Sequence, residues 1–373
     1  MTPFATSIAS VLIAACAGSV FAAAQIDQKP GHAKAAPTKA KPQPRARLRH
    51  KEVAGPLYAT RPEVMQAADE IAQRLQLDVQ WVRHAIGQAR LQPSVVRAIA
   101  PPPVGTPKNW NVYRSRFIDP ARIRAGVQFW QTNRSALERA EQETGVPAEI
   151  VVGIVGVETI YGQQTGNYRV MDALTTLAFD FPPEHPKARE RSTFFRSELE
   201  AFLKLTQRTG TDPLALRGSY AGAMGLPQFM PSSWDKYAVD FDGDGRVDLF
   251  LSAADVIGSV SNYFKAFSWR RGWATHYALQ FDPATLDLAT LRAPDIVPTF
   301  TPATMTALGV QLDAVGQQHP GLLALVELQN GDAAPLYIAG TENFYAITRY
   351  NWSSYYALAV IELGREVALA LPK

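Results

Sequence analysis

Along this chain the apolar positions recur mostly at helical spacing, and capping residues and prolines fall where that spacing starts and stops. Residues 61–100 break into short helical pieces, with Asp78 placed to cap the one that carries Val79, Trp81, Val82 and Ile86, before Pro101-Pro102-Pro103 ends the lobe. Asp119-Pro120, a cap followed by proline at the first helical position, predicts a longer helix running to Gly145 with Ile123, Val127, Phe129, Trp130 and Leu137 as its buried stripe. Pro147 opens the next helix. Its interior carries Ile150, Val151, Ile154 and Val155, so it is buried on most sides, and its far end carries Glu158. Asp172 is read as the cap of a helix containing Leu174 and Leu177, residues 181–191 as a polar, proline-broken loop with Arg189 and Arg191, and 193–208 as helix again. Ser232-Ser233-Trp234 starts a short helix after Pro227 and Pro231, and Ser252 starts one that runs to about Trp269. From 278 to 338 the pattern changes to short apolar runs punctuated by Pro and Gly, which predicts strands, and 353–371 returns to helix. The expected fold class is therefore mainly α (α+β): an N-terminal helical lobe over 58–112, a helical core over 113–277, a small mixed α/β lobe over 278–340, and a C-terminal helix over 341–373 that returns to the core.

Charge changes this picture at one end only. The chain has a formal charge of +3, yet the stretch from Gln25 to Glu52 alone holds five Lys and three Arg against one Asp and one Glu. The rest is slightly acidic, which argues against a nucleic-acid-binding fold. Residues 25–57 are too poor in large apolar side chains to pack and are read as a disordered basic Pro/Ala/Lys linker. Residues 1–24 read as a secretory signal peptide, with an apolar stretch from Ile8 to Ala15 and small residues ending in Ala22-Ala23-Ala24. The single cysteine, Cys16, lies in that segment, so the fold beyond it holds no disulfide; Ile13-Ala14-Ala15-Cys16 resembles a bacterial lipobox, which would make Cys16 a lipid anchor, the alternative being that Cys16 is a filler removed with the leader.

Three stretches carry candidate chemistry. Glu158 stands at the end of an apolar helix, and burial penalises the charged carboxylate, so it is a candidate general acid; the alternative is a helix-end glutamate whose head reaches water. Residues 240–248, Asp-Phe-Asp-Gly-Asp-Gly-Arg-Val-Asp, fit the front half of an EF-hand loop: Asp240, Asp242, Asp244 and Asp248 supply side-chain oxygens, Gly245 the sharp turn and Arg246 a backbone carbonyl. Leu251 stands where such loops place a bidentate glutamate; Asp255 can substitute, and it also forms a capping box with Ser252. The run 218–232 mixes glycines, aromatics and a lone Gln228, suited to a close approach of a ring-shaped ligand or to a tight structural turn. The six histidines form no zinc pattern, and there is no phosphate-binding loop or serine elbow.

Gly156-Val157-Glu158-Thr159, Ala221-Gly222-Ala223-Met224-Gly225 with Gln228-Phe229-Met230-Pro231-Ser232, the aspartate loop, and the Asn343 to Asn351 run together resemble the lytic murein transglycosylase B family, in order from about Trp110 to Leu371. The resemblance implies a lysozyme-like helical core with an EF-hand-like calcium loop and a periplasmic enzyme of Gram-negative bacteria, possible outer-membrane attachment included. It implies peptidoglycan glycan strands as substrate, structural Ca2+, no organic cofactor, and cleavage of the MurNAc-GlcNAc bond without water. By motif, Glu158 is the catalytic acid, then base, and Tyr113, Ser219, Gln228, Tyr263, Tyr350, Asn351 and Tyr356 line the substrate site, while Asp240, Asp242, Asp244, Arg246 and Asp255 hold the metal. A hydrolytic muramidase with a second carboxylate, or a wall-binding protein without catalysis, are the alternatives.

Overall fold

The structure is a computed structural model that describes residues 55–101, 105 and 107–372. The leader, Cys16 and residues 25–54 of the expected linker lie outside the described residues. The last part of that linker is not free: Gly55 N donates to Leu91 O at 2.8 Å, and Leu57 pairs with Arg90.

The N-terminal helices Pro62–Leu75, Val79–Gly87 and Pro93–Ile99 start where the sequence punctuates them, and Asp78 accepts the backbone N–H of Trp81. Asp119 likewise caps the helix Pro120–Thr132 by accepting from Ala121 N and Arg122 N. The long helix expected over 119–145 is in fact two, Pro120–Thr132 and Arg134–Thr144. Asn133 breaks it, because its side-chain Nδ2 takes the carbonyl of Phe129 at 2.8 Å and its own backbone leaves the helical region. Asp172 is not a cap either. It lies in the first turn of the helix Val170–Phe179 and accepts from Arg90 N, Gln92 Nε2 and Arg169, so it fastens the N-terminal lobe to the core. The loop expected to 191 already turns helical at Ala188, in the helix Ala188–Thr209, because the last proline of the stretch is Pro186.

At the centre, the helix Ala148–Thr159 buries every residue but Glu149. It lies against the C-terminal helix Ser354–Leu369 at a separation only glycine permits: a Cβ on Gly153 would stand 2.2 Å from Val360 O, and one on Gly364 2.0 Å from Glu149 O. The helices Pro231–Tyr237, Ala253–Ala266 and Glu342–Tyr350 complete this side of the molecule. The four-stranded sheet is antiparallel, in the order Val310–Leu312, His276–Phe281, Ala333–Gly340, Ala324–Asn330. Its period-two alternation feeds two cores: Ala324, Val326 and Leu328 join the main one, while Leu323 and Leu325 join a second around Met305 and Leu291. Among the described residues no helix is long and apolar enough to cross a membrane.

Candidate active site

Glu158 occupies the last turn of the helix Ala148–Thr159 and is 8% exposed. Two non-glycine residues in the left-handed region, Ile160 at φ 51° and Tyr161 at φ 54°, end that helix abruptly. Thr159 fixes the end in place, donating from Oγ1 to Leu226 O at 2.9 Å and accepting from Gly162 N at 3.1 Å. The carboxyl is thereby carried to the wall formed by the glycine-rich run. Burial pushes its pKa up to about 8, against the pull of the Tyr356 hydroxyl, which donates to Glu158 Oε1 at 2.5 Å. The negative end of the helix macrodipole disfavours the carboxylate in the same direction. At neutral pH Glu158 is a protonated acid.

A pocket of about 50 Å³ opens on Glu158 and is lined by Gln228, Phe229, Met230, Ser233, Tyr263, Tyr350 and Asn351. Five of the residues singled out in the sequence, Glu158, Gln228, Tyr263, Tyr350 and Asn351, thus meet there. The aromatic hydroxyls are tied back to the backbone: Tyr350 donates to Pro227 O at 2.5 Å and Tyr263 to Arg349 O at 2.6 Å. Tyr356 reaches Glu158 from the first turn of the C-terminal helix, capped by Ser353, and its ring stacks on that of Tyr350 at 6.4 Å between centroids. Tyr113 packs edge to face on Tyr355, and burial together with the neighbouring Glu158 raises its hydroxyl well above the usual range. Gln228, itself at φ 52°, donates to Gly225 O and Thr165 O, so its amide is oriented before any ligand arrives. Asn351 Oδ1 is buried with no donor among the described residues.

Ser219 is not among the lining residues. Its buried hydroxyl accepts from Ala221 N and Ala223 N and closes the glycine-rich turn. Phe229, Met230 and Ser233 line the pocket without having been singled out; the first two sit inside the run that was, and their place directly after Gln228 is the one signal that could have marked them. Glu198, buried in the helix Ala188–Thr209, was missed altogether. It accepts Ser232 N at 2.9 Å and Ser232 Oγ at 2.6 Å and so fixes the segment that carries Met230 and Ser233.

In the aspartate loop, ligand oxygens of Asp240, Asp242 and Asp244 gather within 4.8 Å of one another, all exposed. Asp240 accepts from Gly243 N and Gly245 N, and Asp244 from Arg246 N, so the loop is already wound around its carboxylates. Asp255 is not in that group. Its Oδ1 takes Phe241 N and Asp242 N and its Oδ2 takes Asp248 N, which joins the two ends of the loop through the helix that Ser252 caps.

Residues 59–365 match the family model described as the transglycosylase SLT domain, and the chain belongs to that family. Within it the chain stands with the lytic murein transglycosylase B proteins. It is 40% identical to membrane-bound lytic murein transglycosylase B of Escherichia coli strain K12 over 84% of each chain. The soluble lytic transglycosylase SltB1 of Pseudomonas aeruginosa superposes with a TM-score of 0.74 at 41% identity, covering 83% of this chain and 99% of that one. The Escherichia coli lytic transglycosylase Slt35, in a complex with calcium, does so with a TM-score of 0.71 at 39% identity over 85% and 96% of the two chains.

Proposed function

We propose that the protein cleaves the β-1,4 bond between N-acetylmuramic acid and N-acetylglucosamine in peptidoglycan without water, with Glu158 acting as acid and then as base. One observation carries this reading: among the described residues lining the pocket Glu158 is the only carboxylate, and burial keeps it protonated. Glycosidases working through a carboxylate pair place the second group roughly 5–9.5 Å across the bond. The pocket offers tyrosines and amides where that second group belongs.

In the first step Glu158 gives its proton to the glycosidic oxygen as the C1–O bond breaks, a contribution of roughly a hundred- to ten-thousand-fold for a well-placed acid. Positive charge developing at C1 is met by the fixed dipoles of Gln228 and the tyrosine hydroxyls and by the substrate's own N-acetyl group. Asn351 Oδ1, an acceptor without a donor among the described residues, suits a substrate N–H or O–H. The muramic acid C6 hydroxyl then attacks C1, and its proton passes to the Glu158 carboxylate as the C1–O6 bond closes. The products are a 1,6-anhydromuramoyl end and a free sugar 4-hydroxyl, and the acid is restored. Tyr356 stabilises the ionised intermediate state of Glu158, and Tyr113 and Ser219 shape the surroundings, the latter through the glycine-rich turn.

The all-oxygen set of Asp240, Asp242, Asp244 and the Arg246 carbonyl suits a hard cation such as Ca2+, which would offset most of the charge of three clustered carboxylates and stiffen the loop. Asp255 serves that site by holding the loop ends. The ion takes no part in the chemistry. Export through residues 1–24 places the enzyme in the periplasm, and acylation of Cys16 would hold it at the outer membrane.

Mass spectrometry of muropeptides released from purified peptidoglycan tests the reading. Products one water lighter than their reducing counterparts, absent with Glu158→Gln, are expected. Reducing ends, or full activity in the variant, would overturn it.

A further inference from the structure

The wall of the pocket continues outward from Tyr263. The Tyr263 ring meets Phe267 at 4.5 Å and Tyr237 at 5.0 Å between centroids. Phe267 in turn faces the Arg349 guanidinium at 5.5 Å, and the same guanidinium lies 5.7 Å from the Tyr345 ring and 5.5 Å from the Trp352 ring. Tyr345 and Trp352 meet edge to face at 5.9 Å. A chain of ring faces bound by one cation therefore leads from the Glu158 pocket, over the end of the helix Glu342–Tyr350, to the bend that follows it.

Core packing does not account for the outer part of this strip. Tyr237, Phe267, Tyr345, Arg349 and Trp352 are all half-buried. Tyr237 and Phe267 lean on the main core, whereas Tyr345 and Trp352 are not among the residues packed against it. Arg349 has no carboxylate partner among the described residues; its Nη1 donates to Tyr345 Oη at 3.3 Å, and three aromatic faces hold the rest of it. Contiguous exposed apolar surface rimmed by polar groups marks binding grooves in soluble proteins. Large flat side chains with one polar edge make such contacts at small entropic cost.

The ligand class follows from continuity with the pocket. At Asn351 the backbone is extended, φ −145° and ψ 121°, so successive side chains diverge. Asn351 turns into the pocket and Trp352 onto Arg349. For a polymer that extends from Glu158 along this strip, the C–H faces of its pyranose rings fit the Trp352 indole, while its hydroxyl and acetamido groups fit the indole N–H and the guanidinium.

We propose that Trp352, backed by Arg349 and Tyr345, forms an outer subsite that binds a further N-acetylated sugar of the same glycan strand. The proposal rests on the glycan-cleaving reading of Glu158. The test is the length dependence of cleavage by the full-length protein, read as the ratio of kcat/KM for long peptide-free glycan chains to that for the shortest chain cleaved. In Trp352→Ala the ratio is expected to fall about tenfold, through KM rather than kcat, and in Trp352→Tyr to recover most of that loss. Tyr345→Ala should lower it in the same direction, which keeps the test alive if Trp352→Ala melts early. As a direct probe, the hexamer of β-1,4-linked N-acetylglucosamine is titrated into Glu158→Gln with and without Trp352→Ala; the dissociation constant should rise about tenfold and the tryptophan fluorescence change should shrink. Wild-type length dependence in all three variants would overturn the subsite and leave the Glu158 reading standing. A wild-type protein that releases no glycan fragments would bring down the Glu158 reading and the subsite together.

Discussion

Replacing Glu158 by Gln should stabilise the protein in alkaline solution while leaving its stability in acid almost unchanged. The pKa of Glu158 is raised by burial from about 4.5 to about 8. Between those values the folded state retains a proton that the unfolded state has already released. Raising the pH therefore favours the unfolded chain: the stability tied to this proton is fully present below pH 4.5 and is lost as the pH rises through 8. Each pKa unit corresponds to about 1.4 kcal/mol, so the penalty grows from about 1 kcal/mol near pH 5 to about 4 kcal/mol near pH 8. Gln cannot ionise, keeps the shape, and still offers an oxygen to the Tyr356 hydroxyl.

Thermal unfolding of the two proteins at pH 5 and pH 8 measures the effect, because every other titrating group cancels in the difference between them. For a chain of this size 1 kcal/mol moves the melting temperature by about 2 °C. The variant should melt within about 2 °C of the wild type at pH 5 and roughly 5–8 °C above it at pH 8. Parallel melting temperatures at both pH values, or a variant that loses ground as the pH rises, would mean that Glu158 is not an acid held neutral by burial.

Tyr356→Phe removes the donor that favours the ionised carboxylate, so the alkaline limb of kcat/KM should move up by about one pH unit and kcat should fall about tenfold; a limb that moves down would contradict the assigned hydrogen bond. Gly153→Ala drives a methyl group toward Val360 O and should cost about 3 kcal/mol, seen as a lowered denaturation midpoint, despite the better helix propensity of alanine. Calcium at about a hundred times its dissociation constant should add about 2.7 kcal/mol over chelator, and Asp240→Ala should abolish the increment; a melting temperature indifferent to calcium would remove the metal from the loop.

What was legible in the sequence was local. Asp78, Asp119, Ser252 and Ser353 all cap the helices they precede, because a short polar side chain competes for the nearest free N–H without help from the rest of the fold. Glu158 was visible because its helix is apolar on every side. The failures were cases in which a distant partner outbid a local rule. Asp172 looked like a cap, but its carboxylate goes to Arg90 and Gln92, more than seventy residues away in the chain. Asn133 sits at a helix position by spacing, yet its amide takes the Phe129 carbonyl and divides the helix. That Tyr356 meets Glu158 is a consequence of the Gly153 and Gly364 contacts between two helices, which no spacing within either helix encodes.

The unfavourable features of the fold collect where the chemistry is assigned. Of the six non-glycine residues in the left-handed region among the described residues, Ile160 and Tyr161 lie two and three positions after Glu158, and Gln228 lines the same pocket. Each such residue costs about 1 kcal/mol or more, and a β-branched isoleucine is among the least suited. Among the described residues Tyr161 Oη is buried without a partner, wedged where a Cβ on Gly126 or Gly156 would stand 2.4 Å from it, and Asn351 Oδ1 is buried without a donor. To these is added an acid whose ionisation the fold resists. A sequence selected for stability alone would relieve most of these features one at a time, with glycine at the left-handed positions, phenylalanine for Tyr161 and glutamine for Glu158. Their coincidence around one carboxyl group means that the surrounding structure over-determines the site, holding a neutral acid, an oriented amide and an unmet acceptor in place for a ligand that supplies the missing partners.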